Sequence, residues 1–125
     1  ALGSHECDGS NLLKNSGIIV QGITADKRGY SITEKRMHDM NIPLNLVSEN
    51  ERNQYICNLG TPHSICFMGD GHYDAKIFKN IGYSIAPANA VEIAKKNAKF
   101  VTKSKGGNGA VYEACLHVLE KTGKL

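Results

Sequence analysis

The sequence predicts an α/β fold in which helices cover both faces of a parallel sheet. Short runs rich in β-branched and aromatic residues alternate with amphipathic segments of helix length along the whole chain. Such alternation is typical of strands joined by crossover helices, which makes neighbouring strands parallel. Polar and glycine residues directly follow two of the apolar runs, at the sheet edge where open α/β folds bind ligands. We therefore expect a three-layer domain with a site at the carboxyl ends of its strands.

Local signals define the elements of the first half of the chain. Asp8 or Ser10 is the candidate cap of the first helix, and Ser31 begins a capping-box pattern with Glu34 at the second. β-branched residues mark the strand that runs into Thr24. The predicted elements are a helix over 8–15, a strand over 17–23, a helix over 31–40, a short strand within 41–47 and a helix over 49–59.

The second half repeats the same alternation. Its first apolar run has the length and composition of a strand buried on both faces of a parallel sheet. The predicted elements are a strand over 64–68, a helix over 73–81, a strand over 82–87, a helix over 90–98, a strand over 100–102, a glycine loop over 103–109 and a helix over 109–122. The sequence contains no repeat, low-complexity stretch or evident linker, so we expect a single domain over residues 1–125.

Composition and charge exclude several classes of protein. The 125 residues suffice for one buried core, and no apolar run approaches membrane-spanning length. A formal net charge of +3, dispersed along the chain, is too small to indicate a nucleic-acid-binding protein. No C-x-x-C pair is present, so we expect buried free thiols in a reducing cytoplasm. The cysteines are Cys7, Cys57, Cys66 and Cys115.

The stretch around Asp70 is the most informative part of the sequence. An apolar run leads into Gly69-Asp70-Gly71, and a second carboxylate follows at Asp74, in the first turn of the next predicted helix. The glycines permit backbone angles that side chains forbid, which would leave Asp70 exposed at the strand end. Two neighbouring carboxylates are costly unless hydrogen bonds or a cation such as Mg²⁺ compensates. The plainer interpretation is a tight turn followed by an N-capping aspartate, and both interpretations stay open.

Several segments resemble the haloacid dehalogenase superfamily of phosphotransferases. Residues 23–26, Ile-Thr-Ala-Asp, resemble the second motif of that superfamily, and residues 69–74 resemble its fourth. The tail is similar to one subgroup, the capless 3-deoxy-manno-octulosonate 8-phosphate phosphatases, with the related domain at the end of some sialic-acid cytidylyltransferases. The tail segments that carry this likeness are 85–90, 98–102 and 106–113.

The resemblance implies a Rossmann-like core without a cap domain and a role for each matching residue. Asp70 would ligate Mg²⁺ directly, and Asp74 would support the metal through water or by orienting its neighbours. The Thr24 hydroxyl would bind a phosphoryl oxygen across the top of the sheet from Asp70. Arg52 stands where the family carries its third-motif lysine, and Asn108 stands at a substrate-binding position where the subgroup usually has arginine.

The family nucleophile is missing from the printed sequence. The family carries it on an Asp-x-Asp pair that ends a central first strand, and no apolar run here is followed by such a pair. The nearest string, around Glu6 and Cys7, follows no apolar strand, and a glutamate would misplace an in-line attack. Three accounts of the absent strand remain: direct pairing of its two neighbours in a reduced sheet, a segment from another chain or lost from this one, or poor filling by residues 1–7.

Two functions therefore follow from the sequence. The resemblance implies Mg²⁺-dependent hydrolysis of a small phosphorylated sugar by a tetrameric enzyme. The missing Asp-x-Asp pair favours the alternative, a non-catalytic domain that serves binding or oligomerisation, in association with a nucleotide-sugar synthetase. Neither function involves nucleic acid or a membrane.

Overall fold

The chain folds into two compact units in its computed structural model, which describes residues 6–106 and 109–124. The first unit comprises residues 1–48 and 107–125, and the second comprises residues 49–106. The elements of the first unit are α1 (Glu6–Asn15), β1 (Gly22–Thr24), α2 (Tyr30–Asp39), β2 (Leu44–Leu46) and α6 (Ala110–Lys121). Those of the second are α3 (Glu49–Cys57), a 3₁₀ turn (Pro62–Ser64), β3 (Cys66–Met68), α4 (His72–Phe78), β4 (Tyr83–Ala86), α5 (Glu92–Asn97) and β5 (Phe100–Val101).

All strand pairs are parallel, as the alternation of elements predicts. In the first unit β1 pairs with β2, with Gly22 opposite Leu44. In the second unit the strand order is β3-β4-β5, with Cys66 opposite Tyr83 and Ile85 opposite Phe100. A helix separates each strand from its parallel partner along the chain, because a parallel connection has to cross back over the sheet. The α/β class is therefore confirmed, whereas the single-domain organisation stays a prediction.

Each unit has its own apolar core. In the first unit α1 packs on α6 through Leu13, Cys115 and Leu119, with Ile18 and Val20 against them. The core of the second unit consists of Phe78, Ala86, Ala90 and Ala94, with Phe67 and Ala98 against it. Within the described part of the chain, every helix is too short or too polar to traverse a bilayer.

The predicted strand over 17–23 is wrong in its extent, because only Gly22–Thr24 enters a ladder. Gly17 instead ends the preceding helical turn with a left-handed φ of 85°. The partner strand is also short, since the Ile42 N–H turns back to donate to the Met37 carbonyl. Residues 18–21 therefore lie outside the sheet despite their β-branched side chains.

The predicted helix caps are also wrong. Asp8 and Ser10 both lie inside α1, where Ser10 is fully buried and its hydroxyl donates to the Met40 carbonyl over 3.2 Å. Ser31 is the second residue of α2. The turn before α2 is held by Asp26, whose carboxylate accepts the N–H groups of residues 28 and 29, each over 3.0 Å. An Asx-type turn therefore sets this helix start in place of the capping box.

The strand before Asp70 is less buried than its apolar run predicts. Cys66 is exposed, while the other two residues of β3 are half-buried. The more deeply buried strand is β4, in which Tyr83 is half-buried and Ser84, Ile85 and Ala86 are at most 1% exposed. This difference follows from sheet order, because β4 has a neighbouring strand on each side and β3 pairs only with β4 among the described strands. Cys115 is buried as predicted, whereas residue 66, for which burial was also predicted, is exposed as a whole residue.

The structure decides among the accounts of the absent strand only in part. Direct pairing in a reduced sheet would join β1 of the first unit to β3 of the second, and it stays a prediction. Glu6 and Cys7 form the start of α1 and so do not extend as a strand, while residues 1–5 lie outside the described part. A strand supplied by another segment stays a prediction.

Candidate functional site

The turn between β3 and α4 is held by the carboxylate of Asp74. Asp74 is buried, and its Oδ2 accepts the N–H groups of Asp70 over 3.0 Å and of Gly71 over 2.9 Å. Gly71 is the N-cap of α4, so its amide is one of the N–H groups that a helix start leaves unsatisfied, and the Asp70 amide lies one residue before it. A carboxylate at this place also meets the positive end of the helix dipole. Asp74 is thus the capping aspartate that the plainer interpretation predicts.

Arg52 donates a hydrogen bond to the other oxygen of the same carboxylate. Its Nη1 donates to Asp74 Oδ1 over 2.9 Å, and the two side chains are only 15% and 6% exposed. Both oxygens of Asp74 are therefore occupied by hydrogen bonds from the protein. The resemblance implies that Asp74 supports the metal through water or by orienting its neighbours, and this geometry fits the orienting role. The buried Nε of Arg52 has no hydrogen-bond partner among the described residues.

Gly69 is required by a close contact rather than by its backbone angles. A Cβ at residue 69 would lie 2.5 Å from Cγ of Asp74, whereas one at residue 71 would come no closer than 3.5 Å, to Oδ2 of the same residue. Neither glycine adopts a left-handed φ, so the predicted reason for their presence is wrong. The absence of a side chain at residue 69 lets the capping carboxylate fold back onto the turn.

Asp70 carries the carboxylate of this turn that is available to a ligand. It is exposed at the carboxyl end of β3, and its carboxylate has no hydrogen-bond or ion-pair partner in the described part of the chain. Its backbone carbonyl accepts the Val91 N–H over 3.0 Å, which ties the turn to the start of α5.

The donor set around Asp70 fits a metal that keeps most of its water. No group of three or more metal-ligating side chains exists among the described residues. Mg²⁺ commonly binds through one or two carboxylates and retains several water ligands, so one free carboxylate satisfies its minimum requirement. Phosphate oxygens and water would have to supply the other positions.

Thr24 lies in the first unit, at the carboxyl end of β1. It is half-buried, and its Oγ1 accepts the Asp26 N–H over 3.2 Å. A hydroxyl that accepts in this way can still donate its own proton to an anion. The structure thus brings Arg52, Asp70 and Asp74 together in the second unit, while the approach of Thr24 to Asp70 stays a prediction. Asn108 lies outside the described residues.

Sequence reasoning missed two side chains that hold the loops around these positions. Asp26 accepts backbone amides in the turn after Thr24, and Asn89 Oδ1 accepts the Gly106 N–H over 2.8 Å where the glycine loop begins. The Asx-turn propensity of aspartate was the available signal at residue 26. No local signal links residues 89 and 106, which meet only through the fold.

The fold and the turn define a class of protein. A parallel α/β sheet, with an acidic glycine turn at a strand's carboxyl end, belongs among the Rossmann-type folds that bind ligands at that edge. The family model for haloacid dehalogenase-like hydrolases matches residues 24–114, and the chain belongs to this family.

Known proteins similar to this chain are named as phosphatases. 3-Deoxy-D-manno-octulosonate 8-phosphate phosphatase KdsC of Escherichia coli K12 is 36% identical over 64 residues, which is 51% of this chain and 34% of that enzyme. A probable YrbI family phosphatase from Pseudomonas syringae has a similar structure, with a TM-score of 0.86, 25% identity and coverage of 100% of this chain and 73% of that one.

One solved structure also contains ligands. It is the corresponding phosphatase from Moraxella catarrhalis, in complex with a magnesium ion, a phosphate ion and a KDO molecule. It matches with a TM-score of 0.82 and 25% identity, over 96% of this chain and 71% of that one. These likenesses confirm the resemblance of the sequence to the capless subgroup.

Proposed function

We propose that this chain forms the metal- and phosphate-binding part of a Mg²⁺-dependent phosphatase for a phosphorylated sugar acid. The observation that carries the proposal is the exposed carboxylate of Asp70, which has no partner among the described residues and lies on a turn whose amides are held by Asp74. The names of the similar proteins support the substrate class, and the ligands of the Moraxella structure support Mg²⁺ and phosphate.

Each residue of the proposed site has a distinct task. Asp70 presents the carboxylate that would hold Mg²⁺, and the bound metal would neutralise charge on a phosphoryl group. Asp74 keeps the turn in place, and Arg52 acts through Asp74 as a positioning residue rather than on the substrate. Thr24 donates its hydroxyl to a phosphoryl oxygen, and Asn108 contributes to substrate binding. The tetramer and the cytoplasmic location implied by the sequence belong to the same proposal.

A Mg²⁺ titration tests the metal site directly. Amide NMR shifts of residues 69–74 should change saturably with Mg²⁺ in the wild type and no longer change in Asp70→Asn. Glu120→Gln removes an exposed carboxylate of the first unit and should titrate like the wild type. Equal titration of Asp70→Asn and the wild type would show that Mg²⁺ binds elsewhere.

The second candidate is a non-catalytic domain of the same fold that binds metal and phosphate without turnover. It is favoured by the absence of any Asp-x-Asp pair from the 125 residues, since that pair supplies the nucleophile in the resembled family. Release of phosphate from an aryl phosphate and from a panel of sugar phosphates separates the two. The phosphatase requires Mg²⁺-dependent release that Asp70→Asn abolishes. The non-catalytic domain requires Mg²⁺ and phosphate binding with no release from any member of the panel.

A further inference from the structure

A second concave site lies in the first unit, at the end of the sheet opposite to Thr24. The cleft has a volume of 710 Å³, within the range of about 300–1,000 Å³ typical of small-molecule sites. Residues 18–20, which lead into β1, and residues 41–44, which lead into β2, both line it. Since Thr24 ends β1, the cleft is distinct from the carboxyl edge of the sheet where Thr24 lies.

The divergence of two chain segments creates the cleft. The ladder between β1 and β2 covers only three residue pairs. Before it, the N–H groups of Asn41 and Ile42 donate to carbonyls at the end of α2, which draws this segment away from residues 18–20. The space between the segments stays open, with α2 alongside it.

One part of the cleft lining is apolar. Ile18, Ile19, Ile42, Pro43 and Leu44 all contribute to it. Ile18 also packs on the core beneath, whereas Ile19 is 92% exposed. An apolar body lying in the cleft would remove part of this surface from water, at about 25 cal/mol per Å².

The other part carries more positive than negative charge, because two lysines and one glutamate line it. Lys14, Lys35 and His38 line the cleft, and none of their side chains has a hydrogen-bond or ion-pair partner among the described residues. The acidic lining residue is Glu34, whose carboxylate raises the pKa of the neighbouring Tyr30, and the two lysines still exceed it by one positive charge. The cleft therefore attracts a negative group.

We propose that this cleft binds a small organic anion made of a single anionic head group and an apolar body. The ammonium groups of Lys14 and Lys35 receive the head group, and Ile19, Ile42 and Pro43 receive the body. Because this combination of charge and apolar surface lies at the opposite end of the β1–β2 sheet from Thr24, we assign the cleft a ligand different from the sugar phosphate.

Three probes separate the contributions of head group and body in the full chain. Octanoate has both parts, octanol lacks the charge and acetate lacks the body. Octanoate should shift the amide NMR signals of residues 18–20 and 41–44 saturably. Acetate should bind at least about tenfold more weakly, because each buried methylene contributes about 0.8 kcal/mol. Octanol should bind at least about threefold more weakly than octanoate, because its uncharged head group forms no ion pairs with the lysines.

Charge variants test the residues that the proposal names. The double variant Lys14→Gln/Lys35→Gln should weaken octanoate binding about fivefold, while Lys121→Gln, an exposed lysine of α6 outside the cleft, should not change it. Glu34→Gln should strengthen binding, which a variant damaged in folding would not do. Three outcomes would each overturn the proposal. Octanol would bind as tightly as octanoate, the double variant would bind octanoate as tightly as Lys121→Gln does, or the octanoate titration would not saturate. None of these outcomes bears on the Mg²⁺ titration at Asp70.

Discussion

Arg52 and Asp74 form a largely buried ion pair, with 2.9 Å between Nη1 and Oδ1, and the second oxygen of Asp74 holds the turn that carries Asp70. The pair connects α3 to the first turn of α4. Since Asp74 has no oxygen left without a protein partner, the exposed carboxylate of Asp70 is the free ligand of this turn. The stability of the turn and the availability of Asp70 thus depend on a residue that touches no ligand itself.

Removal of Asp74 should destabilise the protein far more than removal of Asp70. Asp74→Ala leaves a buried guanidinium and two turn amides without their acceptor, and loss of one partner of a buried pair costs about 3–5 kcal/mol. Asp70→Ala removes an exposed side chain that has no partner in the described ranges, and it should change the free energy of unfolding by about 0.5 kcal/mol or less. Urea denaturation measures both values. Similar losses in the two variants would contradict the assigned roles.

A methyl group at Gly69 should disrupt the turn, whereas one at Gly71 should be tolerated. The new Cβ of Gly69→Ala would lie 2.5 Å from Cγ of Asp74 and displace the capping carboxylate. We expect Gly69→Ala to lose about 2 kcal/mol or more of stability, in the range of overpacked interiors. Gly71→Ala is the matched control, because its nearest contact of 3.5 Å is an ordinary one. If both substitutions were equally mild, the carboxylate would not rest against residue 69.

The Cys66 thiol should react slowly in the folded protein although the residue as a whole is exposed. Desolvation of the sulfur by its surroundings raises the pKa of Cys66 from 9.0 to about 11. At pH 8 its thiolate fraction should fall from about 10% to about 0.1%, and alkylation should slow accordingly. Iodoacetamide labelling with and without urea measures this ratio, and Cys66→Ser identifies the signal.

The same shift has a defined effect on stability. Because the folded pKa lies above that of the unfolded chain, the stabilising contribution is present below about pH 9 and is lost as the pH rises from 9 toward 11. Urea midpoints measured across this range should fall more steeply for the wild type than for Cys66→Ser. Parallel curves would contradict the desolvation of this thiol.

The Thr24 hydroxyl should contribute to phosphate binding, whereas its methyl group should not. Thr24→Val keeps the shape of the side chain and removes a donor to a charged ligand, which is worth about 1.5–3 kcal/mol. Calorimetric titration with inorganic phosphate and Mg²⁺ should show that Thr24→Val binds phosphate at least about tenfold more weakly than the wild type. Thr24→Ser retains the donor and should bind like the wild type. A loss in Thr24→Ser as large as that in Thr24→Val would assign a packing role to this residue.

Sequence reasoning succeeded where the signal was local. The helix over residues 30–39 and the strand at 83–86 arise from periodicity and β-branched composition that a short window contains. The acidic glycine turn after β3 was also predictable from the sequence, because glycine and aspartate favour turn conformations of their own backbone. The same reasoning failed at residues 18–21, since a strand exists only where a second strand offers hydrogen bonds.

The sequence by itself therefore determined the parallel α/β class, the family resemblance and the position of Asp70 at a strand end. Only the tertiary structure decided that both oxygens of Asp74 accept hydrogen bonds, from Arg52 and from the turn amides. It also decided that β4 is more deeply buried than β3, and that a charged cleft opens before β1 and β2. The physical reason is distance along the chain. Residues 52 and 74 meet, and residues 19 and 42 line one cleft, because separate elements pack together. No local pattern encodes the partner of a buried charge or the divergence of two chain segments.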